Sequence, residues 1–243
     1  MIQIFTSVVN RPDFVSLQDK LFKKFLKNNY QFHVVDDSVD IKIGEQFKTI
    51  CQLNNIKYYR KPISNIRMNP AQACAHTVQW TYDNLICTNH VEDLVLFLDS
   101  DMIIKDNNFL NNILNEITKK QGVLLTCKVR TIDNKFNNVY KTFDVIQKLH
   151  RLTGPFALGG IMLFNTDSYF KLGGFNLNDK FAEDYNLSKK VKSKDFILSK
   201  NIIYTLSRRF KSKGIWFMTK LMFLSFINRN NQKFFEKTHS YWS

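Results

Sequence analysis

Two aspartates, Asp99 and Asp101, close an apolar run in the stretch VLFLDSDMII, residues 95–104. In an extended chain, residues two apart point to the same side, so both carboxylates can face one ligand. Two negative charges there are costly unless a cation or a set of donors compensates them. A hard divalent ion, Mg2+ or Mn2+, answers that need, because it takes one or two protein carboxylates and completes its shell with phosphate oxygens. The plainer alternative is that Asp99, Ser100 and Asp101 only turn the chain, since these residue types favour turns. A second acidic pair, Glu183 and Asp184 in FAEDYNLSKKV, lies 83 residues beyond Asp101 and opens a helical pattern. Acids suit a first helical turn through the helix dipole, whatever else they do. At Gly159 and Gly160 the backbone can approach a substrate closely, or bulge and pack tightly.

The elements that must carry these residues follow from the hydrophobic period. Residues 2–9 are β-rich, and Pro12 suits the first turn of a helix with Phe14, Leu17, Leu21, Phe25 and Leu26 at helical spacing. Residues 30–38 read as a second strand ending in acids, 41–53 as a helix and 56–60 as a third strand. Asn69-Pro70 starts a helix through Ala71, Ala75, Val78 and Tyr82, which leads into the continuous apolar strand 94–98. Beyond it come a helix over 108–119, strands over 123–127 and 159–165, a short helix ending at LGGF (172–175) and another beginning near Ala182. This alternation predicts an α/β domain: a mostly parallel sheet, helices on both faces, right-handed crossovers. In such open sheets, ligands bind beyond the carboxyl ends of the strands, where the strand order reverses, and Asp99 and Asp101 occupy one such end.

A chain of 243 residues can bury a full core, and 44% hydrophobic with 23% charged residues excludes a disordered chain. Lysine and arginine total 35 against 21 acids, a net charge of +14 that attracts phosphates on nucleotides, nucleic acids or anionic lipids without choosing among them. Cys51, Cys74, Cys87 and Cys127 form no CxxC pair, so a reducing, cytoplasmic setting is expected. The opening MIQIFTSVVNRP reads as a strand rather than a signal peptide. The apolar block 214–227 is interrupted by Lys220 and falls short of the roughly 20 residues that span a bilayer.

Taken in order, VVNRP (8–12), VVDDS (34–38), VLFLDSDM (95–102) and GGIMLFNTDSYFKLGGFNLNDKFAEDYNLSKKV (159–191) resemble the family 2 glycosyltransferases of GT-A fold. The resemblance implies a Rossmann-like three-layer sandwich with a mixed, mostly parallel central sheet. It also implies a metal-dependent, inverting enzyme that moves a sugar from a nucleotide-diphosphate sugar to a hydroxyl acceptor. A UDP-sugar is the favoured donor, with GDP- and dTDP-sugars as alternatives, and the acceptor is a glycan or a lipid-linked molecule. Carried over by position, Asp37 is similar to the acid that reads the nucleotide base, and Thr6, Ser7, Val8, Asn10 and Arg11 line the same pocket. Asp99 looks like the residue near the ribose, Ser100 accompanies it, and Asp101 looks like the ligand of Mn2+ or Mg2+, with Asp99 and His239 as further ligands. Arg67 would meet the diphosphate and His76 would flank the donor, a solvated arginine and a hydrogen-bonded histidine being the plainer readings. Asp184 resembles the catalytic base, Glu183 stands beside it, and Gly159, Gly160 and Glu183 fall on the acceptor side.

The implied division is a glycosyltransferase domain over 1–205, with a nucleotide-binding half (1–104) and an acceptor-binding half (105–205), followed by a basic, apolar, helical extension over 206–243. Residues beyond Val191 follow no pattern of the family. Residues 206–228 mix Arg208, Arg209, Lys211 and Lys213 with Trp216, Phe217, Met222, Phe223 and Phe226. Such a segment either seats a helix on an anionic bilayer, at the cytoplasmic face of a membrane, or packs on the core with its lysines solvated. Three rival readings stand beside glycosyl transfer. A phosphatase of the haloacid dehalogenase type also ends a strand in Asp-x-Asp, but in its first strand. A single-strand nucleic-acid binder fits the charge, but no recognition motif supports it, and no specific nucleic acid is expected. The last is an inactive GT-A scaffold.

Overall fold

The computed structural model describes residues 2–26, 30–63, 68–86, 94–158 and 160–241. Alternation with period two builds β1 (Ile2–Val8), which sends Ile2, Ile4 and Val8 into one apolar layer and Phe5 into the other. β2 (Tyr30–Asp36), β3 (Lys57–Arg60) and β4 (Leu94–Leu98) lie parallel to it, with Val8 opposite Asp36 and Phe5 opposite Phe97. β5 (Leu124–Thr131), β6 (Ile161–Asn165) and β7 (Phe196–Thr205) complete a seven-stranded sheet of order β3-β2-β1-β4-β6-β5-β7. Among the described residues, β6 alone runs antiparallel, so the sheet is mixed but mostly parallel.

α1 (Pro12–Phe25), α2 (Ile41–Leu53) and α4 (Phe109–Lys120) cover one face through Val15, Phe22, Phe47, Cys51, Ile113 and Ile117. α3 (Pro70–Thr81), α7 (Thr166–Lys171) and α8 (Glu183–Ser188) cover the other with Ala75, Val78, Tyr169 and Leu187. These are the three layers of the expected sandwich. Fully buried rings such as Phe22 and Phe47 each contribute about 2–3 kcal/mol by leaving water. α3 starts sharply because Asn69 and Gln72 form a reciprocal capping box with Pro70 at the first helical position.

Three expectations change. The buried side of α1 is Phe14, Val15, Gln18, Asp19 and Phe22, while Leu17 is 40% exposed; the helix is turned so that the Gln18 amide reaches the carbonyls of Asp99 and Met102. Residues 128–158, unassigned from sequence, extend β5 to Thr131 and form α5 (Asn137–Lys148) and α6 (His150–Thr153). β7 was also unread, because Ser199, Lys200 and Asn201 interrupt its apolar run. They form a bulge in which Ser199 Oγ accepts from the Asn201 backbone N–H (3.2 Å) and Nδ2 (2.8 Å), while the pairing advances two residues in β5 and four in β7.

The chain ends in α9 (Arg208–Lys213), α10 (Ile215–Ile227) and α11 (Gln232–Phe235). Phe210 stacks on Phe136 with ring centroids 5.0 Å apart, and Phe235 stacks on Tyr185 at 5.8 Å. These contacts bring α9 and α11 back to the carboxyl rim of the sheet.

Candidate active site

Parallel pairing places the ends of β1, β2 and β4 along one rim. β1 sits between β2 on one side and β4 on the other, so the strand order reverses there. A crevice at such a reversal is where open α/β sheets take ligands. Because β6 is antiparallel, its first residues lie at this same rim, with Leu98 opposite Ile161.

The turn after β4 is held from three sides. The Asp99 N–H donates to the Gly160 carbonyl (2.9 Å), Ile103 and Tyr204 exchange backbone hydrogen bonds (2.8 and 2.9 Å), and Gln18 Nε2 donates to the carbonyls of Asp99 (2.8 Å) and Met102 (3.3 Å). Gly160 has φ +76°, and a Cβ there would fall 2.0 Å from the Met102 side chain. Its missing side chain thus makes room for Met102 beneath the aspartate turn. Gln18, with no exposed surface, is a buried clamp that the apolar pattern of α1 does not reveal. We expect Gln18→Leu to leave both carbonyls without this donor and to lower stability by about 2 kcal/mol, measured by chemical denaturation; an unchanged midpoint would show the clamp to be idle.

Asp99, Asp101, Glu183 and Asp184 are all part-buried and still touch solvent. Asp99 is pushed up to about 7 by burial and by Asp101, with Asp184 adding to the shift and Arg209 opposing it. Ala182, at φ 51°, turns the chain so that α8 begins with the second acidic pair, and Asp184 Oδ1 accepts the Tyr185 N–H at 2.7 Å. Glu183 is held well above the usual carboxylate range by burial, then by Asp184 and Asp99. Asp184 is pushed up to about 6 by burial, which the Tyr185 N–H and Arg209 partly offset. Within the pair, burial and mutual repulsion therefore favour a proton on Glu183 over one on Asp184. Behind it, fully buried Asp179 accepts from Asn186 Nδ2 (2.6 Å) and Gln232 Nε2 (2.7 Å), tying the loop before α8 to α11.

The two acidic pairs thus fall into one electrostatic group, and Arg208 and Arg209 of α9 supply cations to it. Desolvation works against the guanidinium, but Tyr241, Asp99, Asp101 and Glu183 outweigh it and hold Arg209 above its usual value. Arg209 Nη1 donates to the Tyr241 hydroxyl at 2.5 Å, and Arg208 Nη2 lies 2.9 Å from Asp101 Oδ2. From sequence, Arg208 and Arg209 read as part of a solvated or lipid-facing basic run, and Tyr241 was not singled out. The doubled arginine was visible, but its distance of 107 residues from Asp101 hid the contact.

Along the β1–β2 rim, Thr6 is fully buried and its Oγ1 finds no hydrogen-bond partner among the described residues. Val8 is buried, its carbonyl accepts the Asp37 N–H (3.0 Å), and Asn10, at φ 55°, donates its N–H to Ser38 Oγ (3.0 Å). Asp37 is paired with Lys61 (2.8 Å) and accepts from Thr77 Oγ1 (3.2 Å); each carboxylate oxygen keeps a further lone pair for a donor. His76 is part-buried, and burial, then Lys61, favour its neutral imidazole. Arg11 bonds Asp13 (2.9 and 2.6 Å) and lies over the Phe14 ring, and Ser7 and Ser100 are part-buried. His239 does not join Asp99 and Asp101 in a cluster of three ligands; its Nε2 lies 2.7 Å from the Phe234 carbonyl and its ring packs on Phe181 and Phe234. Arg67 and Gly159 lie outside the described residues.

Among the described residues, no three His, Cys, Asp or Glu side chains converge on a metal. Asp99 and Asp101, two oxygen donors on one turn, nevertheless fit a hard divalent ion, which takes one or two carboxylates and can complete its shell with phosphate oxygens.

No protein-family model matches this chain, and no curated protein matches it by sequence. Solved structures match it by shape. A mannosyltransferase from Pyrobaculum calidifontis, PcManGT, solved with GDP-Man and Mn2+, is similar over 99% of this chain and 68% of its own, with TM-score 0.68 and 11% identity. TarS of S. aureus is similar over 95% of this chain and 43% of its own, with TM-score 0.57 and 14% identity. Glucosyl-3-phosphoglycerate synthase of Mycobacterium tuberculosis, solved with Mn2+, UDP and glucosyl-3-phosphoglycerate, is similar over 94% of this chain and 79% of its own, with TM-score 0.58 and 12% identity. The fold is the GT-A fold of nucleotide-sugar glycosyltransferases.

Proposed function

We propose that this chain is a metal-dependent, inverting glycosyltransferase that moves a sugar from a nucleotide-diphosphate sugar to an acceptor hydroxyl. One observation carries the reading: two acidic pairs distant in sequence meet in one electrostatic group at the reversal point of a GT-A sheet. Thr6, Asn10, Asp37 and His76 line the donor side, with Asp37 offering its spare lone pairs to base N–H groups. Asp101 and Asp99 would hold Mn2+ or Mg2+, and the ion would supply Lewis-acid stabilisation of the departing diphosphate. His239 would have to give up its Phe234 contact to assist.

On the acceptor side, Asp184 takes the hydroxyl proton as the acceptor oxygen bonds to C1. The C1–oxygen bond to the diphosphate breaks, and its electron pair leaves with the phosphate. Attack opposite the leaving group inverts C1. Glu183, which burial and Asp184 bias toward its protonated form, can then donate a hydrogen bond to the acceptor. A UDP-sugar is the first candidate, since two of the similar proteins, TarS and glucosyl-3-phosphoglycerate synthase, are solved with UDP-GlcNAc and with UDP, followed by a GDP-sugar.

UDP-, GDP- and dTDP-sugars with Mn2+, scored by thermal shift and slow donor hydrolysis, test the reading; no stabilisation and no hydrolysis by any donor would sink it. The pH profile carries a second expectation. A base must be ionised, and Asp184 is raised, so kcat should fall as pH drops through about 6 rather than through the ordinary aspartate range near 4. A profile flat down to pH 5 would exclude Asp184 as the base.

A further inference from the structure

A helix on a protein surface normally hides one face and wets the other, but α10 (IWFMTKLMFLSFI) is apolar nearly all round. Met218, Leu221 and Ser225 face the protein. On the opposite side Trp216 (78% exposed), Lys220, Phe223 (65%) and Ile227 (65%) recur at i, i+4, i+7 and i+11, one continuous outward stripe. A second stripe lies on α5 and α6, where Val145, Leu149 and Leu152 (86% exposed) recur at i, i+4 and i+7. Arg229, two residues beyond Ile227, donates to the carbonyl of Thr153, the residue after Leu152, and so joins the ends of the two stripes. Exposed apolar stripes of this kind mark an interaction face.

The charge on the face selects its partner. Lys141, Lys148 and Lys220 stand exposed among the apolar residues. α10 carries no acid, and the one acid of α5, Asp144, is buried and paired with Arg130 at 2.5 Å. Two copies of a lysine-bearing face on a chain of net charge +14 would repel each other. An anionic bilayer complements both the cations and the apolar side chains, which can enter the headgroup boundary. Among the described residues no helix is long and apolar enough to cross a membrane, so the contact would be peripheral.

We propose that the outward stripes of α10 and of α5–α6 together dock this protein on an anionic lipid surface. α10 begins seven residues after Arg208, which touches Asp101, so at most about 25 Å of chain separates the docking helix from the acidic group. On the glycosyltransferase reading, this favours an acceptor anchored in the lipid.

Flotation with phosphatidylcholine vesicles containing about 30% phosphatidylglycerol is expected to carry the protein at least about ten-fold more efficiently than pure phosphatidylcholine, with the difference shrinking at high salt. Trp216→Glu/Phe223→Glu should lower that partition about ten-fold or more while keeping its circular dichroism, and Lys220→Glu, which alters no apolar contact, should lower it in the same direction. Equal partition of all three proteins, or equal binding to both vesicle types, overturns the proposal. So does a dimer in sedimentation that the double variant dissolves while no vesicle binds. Donor hydrolysis in vesicle-free buffer should be unchanged in these variants. Its absence in every protein would sink the enzymatic reading and leave the docking result standing.

Discussion

Asp101→Asn should reduce Mn2+-dependent donor turnover about a thousand-fold, equivalent to about 4 kcal/mol of lost transition-state stabilisation. Asparagine keeps the shape of the turn but removes the charge that draws a divalent ion to the end of β4. Folding should barely change. Asp101 pairs with an Arg208 that is 56% exposed, and a solvent-reached ion pair of this kind is worth about 0–1 kcal/mol. Turnover with and without Mn2+, beside a thermal melt, separates the two effects. A variant that keeps metal-dependent turnover would remove Asp101 from the metal site; one that merely melts early would assign the residue a structural role.

The second large effect is expected at Asp184. Asp184→Asn should slow sugar transfer by about 10²–10⁴-fold, the usual contribution of a positioned base, while donor affinity stays nearly the same. The asparagine Oδ1 can still accept the Tyr185 N–H, so the start of α8 is kept. The raised carboxyl also means that folding disfavours the charge, and a neutral isostere relieves repulsion with Glu183 and Asp99. Stability at neutral pH should therefore hold or rise slightly. A single-turnover assay with saturating donor reads the chemical step, and equal rates for wild type and variant would move the base elsewhere.

Much of the fold was legible because its signals are local. The apolar run of β4 and the helix signals of α2 and α3 each depend on a window of about a dozen residues, and each appears in the structure near its expected bounds. The same reasoning misplaced the inner face of α1. Counting apolar residues favoured Leu17 and Leu21, whereas a buried amide, Gln18, is satisfied by two carbonyls of the aspartate turn. It also passed over β7, because Ser199, Lys200 and Asn201 break the apolar run where the strand bulges.

The candidate site divides along the same line. Acid spacing at the end of a buried strand, and an acid pair opening a helix, are properties of short segments, so the sequence alone determined which carboxylates to consider and the layered α/β architecture that carries them. Only the tertiary structure decided that the two pairs lie close enough to shift one another's protons, that β6 enters antiparallel and brings Gly160 under Asp99, and that Arg208, Arg209 and Tyr241 return over the rim. Strand direction and long-range charge pairing depend on how the whole core closes, and residue types within one window carry no information about partners a hundred positions away.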